Sequence, residues 1–175
     1  MILQPSKDSP PPFRPGIDAA LRSWLRLPRR LRALAPLLVM GALWWSSSCE
    51  LPQREPSLLR SLAHNGMHGV AYAALAGLLL LASGVTANRP PGVRWASAWS
   101  LCLAIAYGIV DELHQSFVPG RVCSVVDGLS DAFGAASALT FLEARLQPCR
   151  FCATAFPICV VACVGSVVLA TWGPW

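Results

Sequence analysis

The sequence predicts an all-α fold: a polytopic transmembrane helical bundle of about five spans, behind a disordered, Pro-rich N-terminal tail. Three observations carry this. Hydrophobic residues make up 54% of the chain and charged residues only 13%, about half the roughly 25% charge of an ordinary soluble domain. The apolar residues lie in runs close to the about 20 residues that cross a hydrocarbon core of ~30 Å. Trp44, Trp45, Trp95, Trp99 and Trp172 fall near the ends of those runs, as an interfacial aromatic belt requires.

In chain order, residues 1–30 read as a disordered, basic tail. Pro5, Pro10, Pro11, Pro12 and Pro15 crowd its first part, which has no apolar periodicity. Arg22, Arg26, Arg29, Arg30 and Arg32 then alternate with Leu and Trp, as in a short amphipathic helix on anionic headgroups or a basic flank to the first span. The transmembrane domain covers 31–172. Its first span, 31–48, is short and carries Pro36. Its end, Ser46-Ser47-Ser48-Cys49, imitates a lipoprotein cleavage site, but Ser46 stands where an aliphatic residue is wanted, so a retained signal-anchor is expected. The second span is 63–87, closed by Asn88-Arg89-Pro90-Pro91-Gly92, and the third is 93–113. Pro119-Gly120 suits the central positions of a type II turn. It would leave the fourth span, 124–142, antiparallel to the third. A fifth span covers 151–172.

Orientation follows from the cations. With a cytoplasmic N-terminus the inner side holds Lys7, Arg14, Arg22, Arg26, Arg29, Arg30, Arg32, Arg89, Arg94, Arg145 and Arg150, and the outer side only Arg54, Arg60 and Arg121. Eleven against three satisfies the positive-inside rule. The expected location is a bacterial inner (cytoplasmic) membrane. The net charge of +5 does not point to nucleic acid, because the arginines flank apolar runs instead of forming a basic stripe. The seven cysteines, odd in number and scattered, are no disulfide framework. Cys149 and Cys152 form a CxxC without the second pair that structural zinc needs.

Within the apolar background one stretch, 107–134, is rich in charge. In this topology His64, His68 and Tyr72 lie in the outer half of the second span, and Asp111, Glu112, His114 and Gln115 at the outer end of the third. Asp127 and Asp131 lie at the outer start of the fourth. His64, His68 and Tyr72 are each four apart, Asp111, His114 and Gln115 stand at i, i+3 and i+4, and Asp127, Asp131 and Gly134 follow the same rule, so each of these sets shares a helix face. Polar groups at membrane depth are costly and usually gathered for a purpose. Asp127 also fits a capping box opened by Ser124, whereas Asp131 lies too deep to cap. Asp111 and Glu112 sit at a helix C-terminus, where carboxylates are disfavoured, so a partner such as Arg121 or His114 is expected.

The pattern His68-x-x-x-Tyr72, then Asp111-Glu112-x-His114-Gln115-x-Phe117-x-Pro119-Gly120-Arg121, then Asp127 and Gly134, resembles the VanZ-like family of small bacterial membrane proteins. Trp44-Trp45-Ser46-Ser47-Ser48 is similar to that family's first-span end, and the resemblance covers about residues 33–142. His64-Asn65 departs from it, standing where the family often has Asp-Lys, and Asp131 stands where Asn is frequent. The resemblance implies a role like that of the namesake, which is linked to low-level teicoplanin resistance.

Three functions fit these residues. One is a pocket that acts on an anionic, lipid-linked envelope molecule. Arg121 would clamp a phosphate or carboxylate, Asp111, Glu112, His114 and Asp131 would supply acid–base groups, and His68, Tyr72, Gln115 and Asp127 would bind. No cofactor is required, although a divalent cation such as Mg²⁺ bridging carboxylates to phosphate is conceivable. The others are a non-catalytic protein that shields a precursor or glycopeptide, and a proton-coupled transporter subunit. HxxxH at His64 and His68 with Glu112 would make a zinc hydrolase, a weak motif by itself. The small-residue run Gly134-Ala135-Ala136-Ser137-Ala138 offers a surface on which another helix could pack closely. Oligomeric state stays open.

Overall fold

Prolines and glycines set the helix boundaries in a computed structural model that describes residues 15–49, 57–84, 90–121, 123–146 and 150–172. The first part of the expected tail, 1–14, and Cys149 lie outside the described residues. Among the described residues all regular secondary structure is helical, with no strand. Helix α1, Pro15–Arg26, occupies a stretch read as tail. Pro15 at its first position is pre-set for helical φ, and the Leu, Trp and Arg pattern gives it two contrasting faces. Pro28 then separates it from α2, Arg29–Ser48.

Helix α3 is Leu58–Ala82, α4 is Pro90–Gln115, α5 is Val125–Leu146 and α6 is Arg150–Trp172. Four helices are long and apolar enough to cross a membrane: Ser61–Ala82, Gly92–Gln115, Val125–Leu146 and Phe151–Trp172. These four are the expected second to fifth spans. The first, α2, begins with three arginines in four residues and ends in three serines, so its composition falls short of the others. It nevertheless lies along α3 and α4. Arg32 Nη1 donates to the Leu81 carbonyl at one end (3.4 Å), and Ser47 Oγ reaches Asp111 at the other. Leu37, Leu38 and Trp45 of α2 stay exposed.

Two arginines close helix ends from neighbouring elements. Arg32, 6% exposed, sits at the α3 C-terminus, where a cation complements the dipole. There Gly84 takes φ 74° and leaves room that a Cβ would remove, 2.9 Å from Arg32 Nη1. Arg121 does the same for α2, with Nη2 donating to the Ser46 carbonyl and Nε to that of Cys49 (3.3 Å). The Pro119-Gly120 turn forms as read: Arg121 N donates to the Val118 carbonyl (3.1 Å), and Gly120 has φ 78°.

Packing places α3 at the centre, in contact with α2, α4, α5 and α6. Its Tyr72, Leu75, Ala76 and Leu80 form the core with Val93 and Ala104 of α4 and Ala135, Leu139 and Leu146 of α5. The tightest approach is Gly69 on Gly134. A Cβ on Gly134 would fall on the Gly69 backbone, 2.8 Å from its Cα. The small-residue face of α5 is therefore used inside the chain, by α3. Small residues drive helix association in lipid because they bring backbones into van der Waals contact. This crossing fixes the register of His68, one residue before Gly69, against Asp131, three before Gly134.

Candidate functional site

The C-terminal ends of α2 and α4 and the N-terminal halves of α3 and α5 lie at one end of the bundle, joined there by side-chain contacts. His68 Nδ1 on α3 meets Asp131 Oδ1 on α5 at 3.2 Å, with the two side chains 11% and 2% exposed. Glu112 of α4 reaches across the turn: its Oε2 accepts from Ser124 N at 2.8 Å. That contact replaces one arm of the expected capping box. Asp127 N donates to Ser124 Oγ (3.2 Å), but the reciprocal contact to Ser124 N is made by Glu112, so the Asp127 carboxylate is not consumed in capping.

Three carboxylate oxygens here are buried without a hydrogen-bond partner: Glu112 Oε1, Asp127 Oδ1 and Asp131 Oδ2. One ligand atom each from His68, Glu112 and Asp127 lies within 4.8 Å of the others. Tyr72, one turn deeper than His68, is fully buried with its hydroxyl also unpartnered. Gly108 makes room for both, since a Cβ there would stand 3.2 Å from the Tyr72 ring and 3.3 Å from Asp131 Oδ2. Buried polar atoms normally have partners, so this concentration of exceptions at one place calls for an explanation.

Asp111 is held differently from the expectation. Neither Arg121 nor His114 is its partner. Ser47 Oγ of α2 donates to Oδ1 and Gln115 Nε2 to Oδ2 (3.2 Å), so both oxygens are satisfied by neutral donors. His114 turns towards α2, stacked on Trp44 with centroids 4.0 Å apart and its Nε2 3.0 Å from Ser48 Oγ. His64 is exposed and meets His68 edge-on at 5.4 Å. Sequence reasoning had no role for Ser47. Its only signal was the WWSSS run, because a serine that also back-bonds within its helix, here to the Leu43 carbonyl (2.7 Å), gives no hint of a partner on another one.

A cavity of about 110 Å³ opens between α2, α3 and α4, lined on its polar side by His64, His68, Asp111, Gln115, Ser47 and Arg121. Leu43, Met67 and Ala71 form its apolar wall. That volume is below the ~300 Å³ of a drug-sized site and suits a single small group. His68 belongs both to this wall and to the acidic cluster behind it. His114, Glu112, Asp127 and Asp131 are not among the lining residues.

The VanZ/LLP1 family model matches residues 22–145, which takes in α2 to α5 and leaves α6 outside. No curated protein and no solved structure matches the chain. With most of its length under one family model, the chain belongs to the VanZ/LLP1 family, a multi-pass membrane protein of that group.

Proposed function

We propose that the protein binds the anionic headgroup of a lipid-linked envelope molecule at the outer face of a bacterial inner membrane. The observation that carries this reading is the largely apolar cavity at the end of the bundle, to which Ser47, His68, Asp111, Gln115 and Arg121 add polar groups. An apolar wall continuous with exposed Met67 and Val70 of α3 admits an acyl or prenyl chain from the bilayer. Arg121 spends Nε and Nη2 on α2, and its Nη1 makes no bond among the described residues, so a single donor group remains for a phosphate. The N-terminus is cytoplasmic by the eleven-to-three cation count, α2 is a fifth span, and the cavity then faces outward. Holding a precursor or a glycopeptide there is a resistance role of the kind the family's namesake suggests. Binding, with no bond made or broken, is the reading that the doubly hydrogen-bonded Asp111 favours, since a carboxylate held by two donors is poorly placed to act as a base.

The test compares a polyprenyl monophosphate with the neutral polyprenol, each titrated into the full chain in nanodiscs. The phosphate is expected to bind at least about tenfold tighter, about 1.4 kcal/mol. Arg121→Lys, which keeps charge but not the planar fork, is expected to narrow that preference and leave polyprenol binding unchanged. Equal affinity for the two lipids contradicts the reading.

A further inference from the structure

The unpartnered oxygens of the acidic cluster form a site of their own, behind the cavity. Glu112, Asp127 and Asp131 bring three carboxylates together, and the His68–Asp131 contact is the only side-chain ion pair among the described residues. Glu112 and Asp131 are 6% and 2% exposed. Each has one oxygen already bonded, Glu112 to Ser124 N and Asp131 to His68, and one without a partner. Leaving buried carboxylate oxygens uncompensated in a helical bundle is costly. A cation between them removes that cost.

We infer that His68, Glu112 and Asp127 bind a divalent transition-metal ion, Zn²⁺ or Mn²⁺, with Asp131 as the residue that orients His68. Three features support this. The ligand atoms lie within 4.8 Å of one another, and small side-chain rotations bring them to the about 3.0–3.5 Å spacing that bonds of ~2.1 Å to one ion impose. Asp131, hydrogen-bonded to Nδ1, leaves Nε2 for the metal, the carboxylate–histidine–metal arrangement that fixes tautomer and ring orientation. One imidazole with two carboxylates suits Zn²⁺, of borderline hardness, and Mn²⁺, a harder ion held by carboxylates, whereas Mg²⁺ and Ca²⁺ favour all-oxygen sets and Cu(I) favours sulfur. Half-buried Asp127 and the adjoining cavity give the ion a way in and keep coordination positions open.

The experiment uses the full chain in detergent, stripped with a chelator, incubated separately with Zn²⁺, Mn²⁺ and Mg²⁺, desalted and analysed for bound metal. About one Zn²⁺ or Mn²⁺ per chain is expected to be retained, and no Mg²⁺. Asp127→Asn, whose side chain makes no hydrogen bond among the described residues, leaves the fold intact, as read by circular dichroism, and should lose the ion. Asp131→Asn should weaken affinity about 10–100-fold. A Cys149→Ser, Cys152→Ser double variant separates this site from thiol binding and should keep the ion. The inference is overturned if the wild type retains neither metal, if Asp127→Asn holds as much as wild type, or if the cysteine variant alone loses it. No envelope lipid enters this measurement, so its result is independent of what the cavity binds.

Discussion

Replacing Gly134 with leucine is expected to separate α3 from α5 and abolish the folded bundle, and even Gly134→Ala should cost roughly 1–3 kcal/mol. The reason is that the obstacle is backbone. A new Cβ at 134 lands on Gly69 main-chain atoms, which cannot rotate away as a side chain can. The small-to-large change therefore moves a whole helix, and with it the His68–Asp131 contact. Gly41→Ala is the control, since nothing lies within 4 Å of a Cβ there. It should be neutral or stabilise by up to about 1 kcal/mol through helix propensity. Unfolding in mixed micelles, followed by tryptophan fluorescence, reads both variants. Equal stability of Gly134→Leu and wild type would mean that the two helices do not cross there.

Glu112→Ala should destabilise by about 1–3 kcal/mol, the cost of losing the charge-assisted hydrogen bond to the part-buried Ser124 N–H. Glu112→Gln keeps an oxygen to accept that proton and should unfold close to wild type, while removing a charge from the acidic cluster. The pair separates the two duties of one side chain. The glutamine variant would carry the structural contact across the Pro119-Gly120 turn but not the charge. If Ala and Gln variants unfold alike, the Glu112–Ser124 contact does not hold the turn.

Much of the fold was legible because membrane helices must satisfy their backbone internally, so long apolar runs have few alternatives. The α3, α4, α5 and α6 runs, the turn at Pro119-Gly120 and the gathering of polar residues at one end all follow from hydropathy, helical period and glycine chemistry. Less was legible where the answer depends on a side chain's reach. Arg121 is long enough to serve a ligand or a helix end, and the structure places it on the α2 carbonyls. His114 shares a nominal face with Asp111, but the Trp44 ring offers it a stacking surface and draws it away. The glycine of α5 announced a close approach without naming the helix that makes it. The composition of α2 was read by its apolar middle, whereas its arginine start and serine end keep it less apolar than α3 to α6.

The central claim is that separate helices carry an imidazole and a carboxylate to a shared buried site, and a double-mutant cycle on His68→Ala and Asp131→Ala tests it most directly. Unfolding free energies of the two single variants, the double variant and wild type give the coupling. Contact between the side chains predicts about 0.6–2 kcal/mol, in the range of polar pairs inside helical membrane bundles. Additivity within about 0.3 kcal/mol would mean that α3 and α5 do not bring these groups together, and would contradict the shared site.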